Sequence, residues 1–510
     1  MKNYLIISLL CTSALSAQIY DPSFNGNGFV TGPDFYLGSN QIETPSGLTY
    51  EISTDKILFI NEFNPTGFNI HRLNNNGTHD MGFGEEGVAE FFIEPSSAAM
   101  DIYTHGDGYM VAGQKYPDEE FFSPFLENIT GTGSINIDYG TDGILIATDA
   151  QSVLLNATCK DNSGNYYLSG FDHDYDLGFG IAKFNAEGLY DTDFGYITYN
   201  AAQFTIGECM TSLADGRILV AGNITYFGLD ANAFITCLNS DGTLDESFGT
   251  DGSFYPAPLI ENTGLSFQAI KQAPDGSIYA AGWISSTPDK LIVVKINDQG
   301  VIETEFGDQG YVYLEEGTFY TIFGLEVDAS NQPIIGFVTH PEGDATINTY
   351  LVKLITNGSM DDSFTSGATP GVFEISLPDA LISEEIVGTK MMLQPDGKIV
   401  VLGHAEGISP NDDYFITRIV PNDVIINVEE EISKIDVTIF PNPVSNTFII
   451  TANTVINEIE IWNTDGKMLL KADNTQQNSQ FDIKDFATGI YIVKMTDINE
   501  NITYAKLIKH

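Results

Sequence analysis

The side chains able to do chemistry are few and scattered. Seven histidines, His71, His79, His105, His173, His340, His404 and His510, are spread along 510 residues, and none sits at metal-ligand spacing to another. There is no G-x-S-x-G nucleophile elbow, no H-E-x-x-H zinc helix and no phosphate-cradling glycine loop, so no catalytic residue emerges from motif and spacing. The densest cluster is Asp172-His173-Asp174-Tyr175-Asp176. Its alternate carboxylates, Asp172, Asp174 and Asp176, offer hard oxygen ligands to calcium. Yet Gly178 falls one place later than an EF-hand loop wants, and Lys183 stands where the closing glutamate belongs. A solvated acidic loop is the plainer reading, and no other cofactor is called for.

Charge narrows the partners. With 70 Asp and Glu against 21 Lys and Arg, the formal charge is −49. Such a chain repels phosphate backbones and anionic membrane surfaces, which argues against nucleic acid as a partner. The start, MKNYLIISLLCTSALSAQ, has a basic residue, a short apolar run and small residues up to Ala17, the pattern of a secretory signal peptide over residues 1–17. No later stretch is apolar for long enough to form a transmembrane helix. Removal of the leader leaves Cys159, Cys209 and Cys237, an odd number without a disulfide framework, read as buried small hydrophobes.

The elements that position everything else are repeats. Gly242, Asp245, Phe248, Gly249 and Gly252 spell G-x-x-D-x-x-F-G-x-x-G, and the frame recurs, whole or worn, along the chain. Its aromatic position runs Phe24, Phe83, Tyr139, Phe194, Phe248, Phe306, Phe364, a step of about 57 residues. Each unit also carries an Asp-Gly turn leading into an apolar strand and a glycine, as in "ADGRILVAG", and a further apolar strand, as in "AFITCLN". Seven units of about four strands each predict an all-β fold, a seven-bladed β-propeller over residues 18–423. The mature chain begins in mid-motif and the last unit stops in mid-motif. The expectation is therefore that the N-terminal strand completes the last blade and leaves no free sheet edge. In this reading the repeated aromatics are wedges between blades. The Asp-Gly turn is expected between the second and third strands and the glycine-rich motif at the crossover, both on one face. The variable loops then project from the opposite face, where Phe171, Asn223, Trp283, Phe337 and His404 follow the repeated glycine and are candidates to rim a binding pocket.

The G-x-x-D-x-x-F-G-x-x-G and D-G-x-I-x-V-A-G pairs resemble the delta-60 repeat family of bacterial secreted proteins, over about residues 20–420. The resemblance implies a propeller-like β architecture and brings no active site with it. After a linker at 424–435, residues 436–510 read as short strands with turns, a small immunoglobulin-like β-sandwich. This segment closely resembles the type A sorting domain of the Por, or type IX, secretion system. The matching residues are Phe440-Pro441-Asn442-Pro443, the Asp465-Gly466-Lys467 hairpin, Gly489-Ile490-Tyr491-Ile492-Val493 and the basic-apolar tail with Lys506 and Lys509. That resemblance implies the type IX machinery as a partner, and a product either anchored at the outer surface or released.

The expected function is a secreted or surface binding module for glycan, protein or surface polymer, more in keeping with these residues than an enzyme. A polysaccharide-acting propeller hydrolase or lyase, or a purely structural envelope component, are the alternatives. Acid and base residues converging in a deep channel pocket would favour the enzyme.

Overall fold

The computed structural model describes residues 19–32, 43–63, 67–92, 97–115, 122–150, 153–172, 178–200, 204–225, 232–256, 264–285, 289–314, 318–340, 347–364, 370–376, 385–406, 413–421, 437–452, 455–463, 467–473, 478–484, 486–497 and 502–510. The expected leader at 1–17 and linker at 424–435, and Asp174 and Asp176 of the calcium candidate, lie outside them, as does the side chain of Asp172. The described residues form strands and turns, with no helix. The chain divides into two units, Met1–Val424 and Ile425–His510.

In the first unit the described strands form seven antiparallel sheets. Six have four strands in simple succession, such as Phe204–Ser212, Ile218–Thr225, Asn232–Leu238 and Ser253–Phe254. The seventh takes three strands from the end of the unit and its outer edge from the beginning. Ile19–Tyr20 and Phe29–Gly32 both pair with Asp413–Val420. The first strand of each sheet packs against that of the next, and Glu385–Leu393 packs against Glu43–Glu51 to close the ring. This is the β-propeller, and the chain's own N-terminal strand covers what would be an open edge.

Burial follows position in the sheet. Second and third strands are enclosed on both faces by neighbouring sheets, so Ser123–Ile129 is buried throughout and Lys290–Ile296 nearly so. Lys290–Ile296 accordingly carries the continuous apolar run Leu291–Val294, whereas Ser123–Ile129 encloses the polar Glu127 and Asn128. First strands such as Phe204–Ser212 alternate between buried and half-buried, because one face looks inward to the centre of the ring.

One expectation is corrected. The Asp-Gly turn joins the first strand to the second (Ser212 to Ile218), and the glycine-rich motif joins the third to the fourth (Leu238 to Ser253). Neither is the crossover. In an antiparallel meander these two connections leave the sheet at the same end, so the repeated turns still share one face and the variable loops the other.

The motif's residues meet between repeats. Phe24, Phe83, Phe248, Phe306 and Phe364 are fully buried, Tyr139 nearly so and Phe194 half-buried. The first glycine of the following motif lies against the aromatic before it at several junctions: a Cβ on Gly300 would come within 2.9 Å of Phe248, and one on Gly242 within 2.8 Å of Phe194. Both glycines have φ near +80°, a second reason that no other residue fits. Backbone bonds add a stitch, Gly249 N donating to Gln299 O and Gly307 N to Asn357 O, each at 2.8 Å.

The motif acid has two tasks. Asp245 Oδ1 accepts from Ser247 N at 3.1 Å, shaping the turn, while Oδ2 accepts from Arg217 Nη1 at 2.9 Å. Analogous ion pairs join Arg72 to Asp80, Lys183 to Asp191, Lys295 to Glu303, and Lys353 to Asp361. At the seam Arg418 Nε meets Asp21 Oδ2 at 2.8 Å with both side chains buried. Burial alone would raise the Asp21 carboxyl, but its bonds from Ser23, with Arg418 and Lys398 beside it, hold it below the ordinary value.

The second unit contains two sheets. Val437–Phe440, Thr447–Ala452 and Asn478–Asp482 form one; Met468–Asp473, Ile456–Asn463, Gly489–Asp497 and Ile502–Lys509 form the other. Between them lies a core of Phe448, Ile459, Ile461, Val493, Met495 and Leu507, a β-sandwich.

Candidate binding channel

All seven first strands carry a β-bulge, at Pro45/Leu48, Ala99/Asp101, Leu155/Ala157, Gly207/Cys209, Phe267/Ala269, Ile322/Gly324 and Gly388/Lys390. A bulge leaves one residue unpaired and re-aims its side chain. Met100, Asn156, Glu208, Gln268, Phe323 and Thr389 are the extra residues of six of these strands. All six line one cavity of about 790 Å³ bounded by first-strand residues of the ring. The backbone device is constant and the side chain it presents is not.

Some of these residues are held by the adjoining sheet. Gln268 Oε1 accepts from Ile322 N at 3.0 Å, and Asn156 Nδ2 donates to Gly207 O at 3.3 Å. The described lining carries Lys160, Lys271 and Lys390 with Asp101 and Glu208, and its lysines are engaged. Lys390 Nζ lies 3.6 Å from Asp101 Oδ2, an ion pair between the seventh and second sheets. Lys271 meets Glu326 at 2.8 Å, and Lys160 Nζ donates to Thr104 O at 2.6 Å. Burial pushes the Glu208 carboxyl up, against the opposing bond from Asn223. Tyr103, bonded to Thr158 Oγ1 at 2.6 Å, is pushed well above the ordinary phenol range by burial. Burial likewise raises the thiols of Cys159 and Cys209, far from the thiolate that a nucleophile needs.

The five expected rim residues occupy equivalent places near the ends of second strands. Phe171 pairs with Leu154 and Phe179, Asn223 with Ile206 and Ala233, Trp283 with Ser266 and Leu291, Phe337 with Ile322 and Tyr350, and His404 with Val387 and Tyr414. Phe337 is buried and stacks on Tyr350 with centroids 5.6 Å apart. Trp283 packs half-buried on the core shared by the fifth and sixth sheets. None of the five is among the cavity's described lining residues. Asn223 reaches a lining side chain, with Nδ2 3.4 Å from Glu208 Oε1.

The bulge residues went unnoticed in the sequence, although a signal exists. Met100, Glu208, Gln268 and Thr389 each stand seven places before the aspartate of an Asp-Gly turn: Asp107, Asp215, Asp275 and Asp396. Aligning the repeats on that turn would have brought them into one column.

In the second unit the sorting-signal candidates gather around the last strand. Asn442, between Pro441 and Pro443 with both preceding peptide bonds cis, donates to Lys506 O at 2.6 Å and accepts from Ile508 N at 2.9 Å. Lys509, largely buried, donates to Ser445 O at 2.5 Å and pairs with Gly489. Tyr491 is buried and donates to Ala487 O, also at 2.5 Å. Phe440 is 71% exposed and Lys506 is exposed.

Residues 438–510 match the secretion system C-terminal sorting domain family. Residues 213–248 and 394–424 match a β-propeller domain of unknown function, DUF5122. An endo-acting ulvan lyase of Formosa agariphila is 29% identical over 99 residues, 19% of this chain and 19% of the lyase. The chain thus spans about a fifth of that relative's length. Among solved structures, the β-propeller domain of the Trilobed protease from Pyrococcus furiosus has 8% identity and a TM-score of 0.40, covering 74% of this chain and 96% of that one. PorZ, a surface component of the type IX secretion system of Porphyromonas gingivalis, has 10% identity and a TM-score of 0.34, covering 89% and 68%. With a ring of sheets in one unit and the matched sandwich in the other, the chain is a β-propeller protein with a C-terminal sorting domain of the Por, or type IX, secretion system, which sends it to the cell surface or the extracellular space.

Proposed function

We propose that the protein is a non-enzymatic binding module that takes a glycan or surface-polymer segment at its central channel. The observation that supports this is the set of bulges, which aim dissimilar side chains, among them Asn156, Glu208, Gln268 and Thr389, into one cavity of about 790 Å³. Amides, hydroxyls and charges of both signs suit the hydroxyl-rich surface of a saccharide, and Phe323 and Met100 supply apolar contact. Asp101 is already engaged by Lys390 and Thr158, and Tyr103 by Thr158, which disfavours both as a free acid and base. Glycan-array binding by the purified full chain tests this. Asn156→Ala and Thr389→Ala should each weaken any array hit about ten-fold, on the order of 1.4 kcal/mol. Undiminished binding by both variants would remove the channel from the account.

One observation favours a polysaccharide hydrolase or lyase instead: the raised Glu208 carboxyl in a cavity that also holds Asp101. Release of new chain ends from a polysaccharide, abolished by Glu208→Gln, would establish that reading. Calcium at Asp172, Asp174 and Asp176 is a separate proposal. It is abandoned if a chelator leaves the melting temperature unchanged.

A further inference from the structure

We propose that the second repeat carries an acceptor pocket for a guanidinium or ammonium group supplied from outside the chain. The argument compares the repeats with one another. In six of them a lysine or arginine meets the motif acid: Arg72, Lys183, Arg217, Lys295, Lys353 and Arg418. These cations come from two chain positions. Arg217 opens the second strand of its sheet, and the other five stand near the end of the third. In the second repeat these two positions are Gly108 and Asn128, and the motif acid is Asn136. The ion pair has become an amide pair, Asn136 Nδ2 donating to Asn128 Oδ1 at 2.9 Å.

Loss of the long basic side chain leaves space. A cavity of about 340 Å³ opens there, lined by Asp107, Asn128, Asn136, Asp138, Tyr139 and Glu187 among others. It is many times larger than the roughly 30 Å³ share of one water molecule. Three of these residues are carboxylates, and its described lining contains no lysine or arginine. His105 also lines it, but burial and the nearby Lys160 pull that imidazole below its ordinary value, and its Nδ1 is bonded to Tyr166 at 2.8 Å. Tyr139 is the one tyrosine among the seven wedge residues, and its hydroxyl donates to Gly188 O.

The siblings show what such a slot accepts. Besides the motif acid, four of their cations bond a backbone carbonyl in the next repeat's turn: Arg72 to Gly131 O at 2.6 Å, Lys183 to Ser240 O at 3.3 Å, Arg217 to Asp298 O at 3.1 Å and Arg418 to Asn75 O at 2.6 Å. The residue at this place in the third repeat is Ala186, adjacent to the lining residue Glu187. A donor-only cation of guanidinium shape matches a carbonyl plus carboxylates, whereas an anion would meet Asp107, Asp138 and Glu187. The group can belong to a small free amine or to an arginine or lysine side chain of a partner protein. The chemistry recognised is the same.

The test titrates the purified full chain with methylguanidinium, with neutral methylurea of similar shape, with the peptide Gly-Arg-Gly and with calcium chloride. Methylguanidinium should bind at least ten-fold more tightly than methylurea. The Asn128→Arg/Asn136→Asp variant, which rebuilds the Arg72–Asp80 arrangement, should lose that binding at least ten-fold. Glu187→Gln, at an exposed position, should weaken binding without moving the melting temperature. Tighter binding of the peptide than of methylguanidinium assigns the pocket to a partner's side chain, and weaker binding to a free amine. Equal binding of methylguanidinium and methylurea, undiminished binding by the refilled variant, or binding of calcium alone overturns the proposal.

Discussion

The repeated-turn end of the propeller and the first strands at its centre solve opposite problems. At the turns the residue types recur: an aromatic wedge, a glycine against it, an acid and a cation. Eight of the thirteen basic residues between positions 18 and 423 contact the motif acids there, namely Lys56, Arg72, Lys183, Arg217, Lys295, Lys353, Lys398 and Arg418. At the centre the backbone recurs, as a bulge, while the side chain it presents changes from sheet to sheet. Where packing decides, sequence is repeated. Where solvent or a ligand is the neighbour, geometry alone is repeated and chemistry is free to vary.

Substitutions at the two places should therefore separate stability from binding. Phe248→Ala should have the largest effect, about 4–5 kcal/mol of lost stability, because it empties a fully enclosed site. Urea unfolding followed by tyrosine fluorescence would measure it. A loss below about 1 kcal/mol would mean the wedges are not what joins the repeats. Arg418→Ala should cost about 3 kcal/mol by removing the nearer of the two cations on the buried Asp21, with Lys398 left at 3.5 Å, and should expose residues 19–32 to proteolysis before the rest of the ring. Uniform cleavage would show that the seam is no weaker than any other junction.

A third contrast lies within one sheet and is read by pH. Glu127 is fully buried on the third strand of the second sheet with neither oxygen hydrogen-bonded, and burial pushes its carboxyl up to about 8 against the pull of Lys115. The folded state therefore holds this proton through a range where the unfolded chain, with an ordinary carboxyl near 4.5, has released it. The group's contribution is complete below about 4.5, declines as pH rises and levels off above about 8, a change on the order of 5 kcal/mol. Glu127→Gln should flatten the fall in melting temperature between pH 5 and pH 8. An unchanged slope would place the titration elsewhere, with Glu62, raised to about 7 by burial, the next group to replace. The smallest effect is expected in the channel. Lys271→Ala, which breaks a part-exposed pair with Glu326, should change stability by less than about 1 kcal/mol. A larger loss would blur the distinction between turns and centre.

The repeat, the all-β class and the sorting segment were legible because each is written in local residue patterns. Alternating or continuous apolar runs mark strands, Asp-Gly marks tight turns, and Phe440-Pro441-Asn442-Pro443 with the final basic tail marks the export domain. The assignment of the two turns to particular connections was not legible. A turn's sequence says how tightly the chain reverses, but not which pair of strands it joins, and that depends on where the sheet begins. The surroundings of the rim candidates were not legible for a related reason. Phe337 and Trp283 follow the repeated glycine as expected, yet the neighbouring sheet covers the first and half-covers the second, and nothing in a single repeat reveals its neighbour.

By itself the amino-acid sequence determined the period, the strand-forming pattern and the destination, since all three depend on residues close together in the chain. Only the tertiary structure decided that Arg418 meets Asp21 across the seam, that six bulge residues share one cavity, and that the second repeat lacks the cation its siblings supply. Those facts join residues up to 397 positions apart, and the free energy that joins them comes from closing the ring, which no short stretch of chain contains.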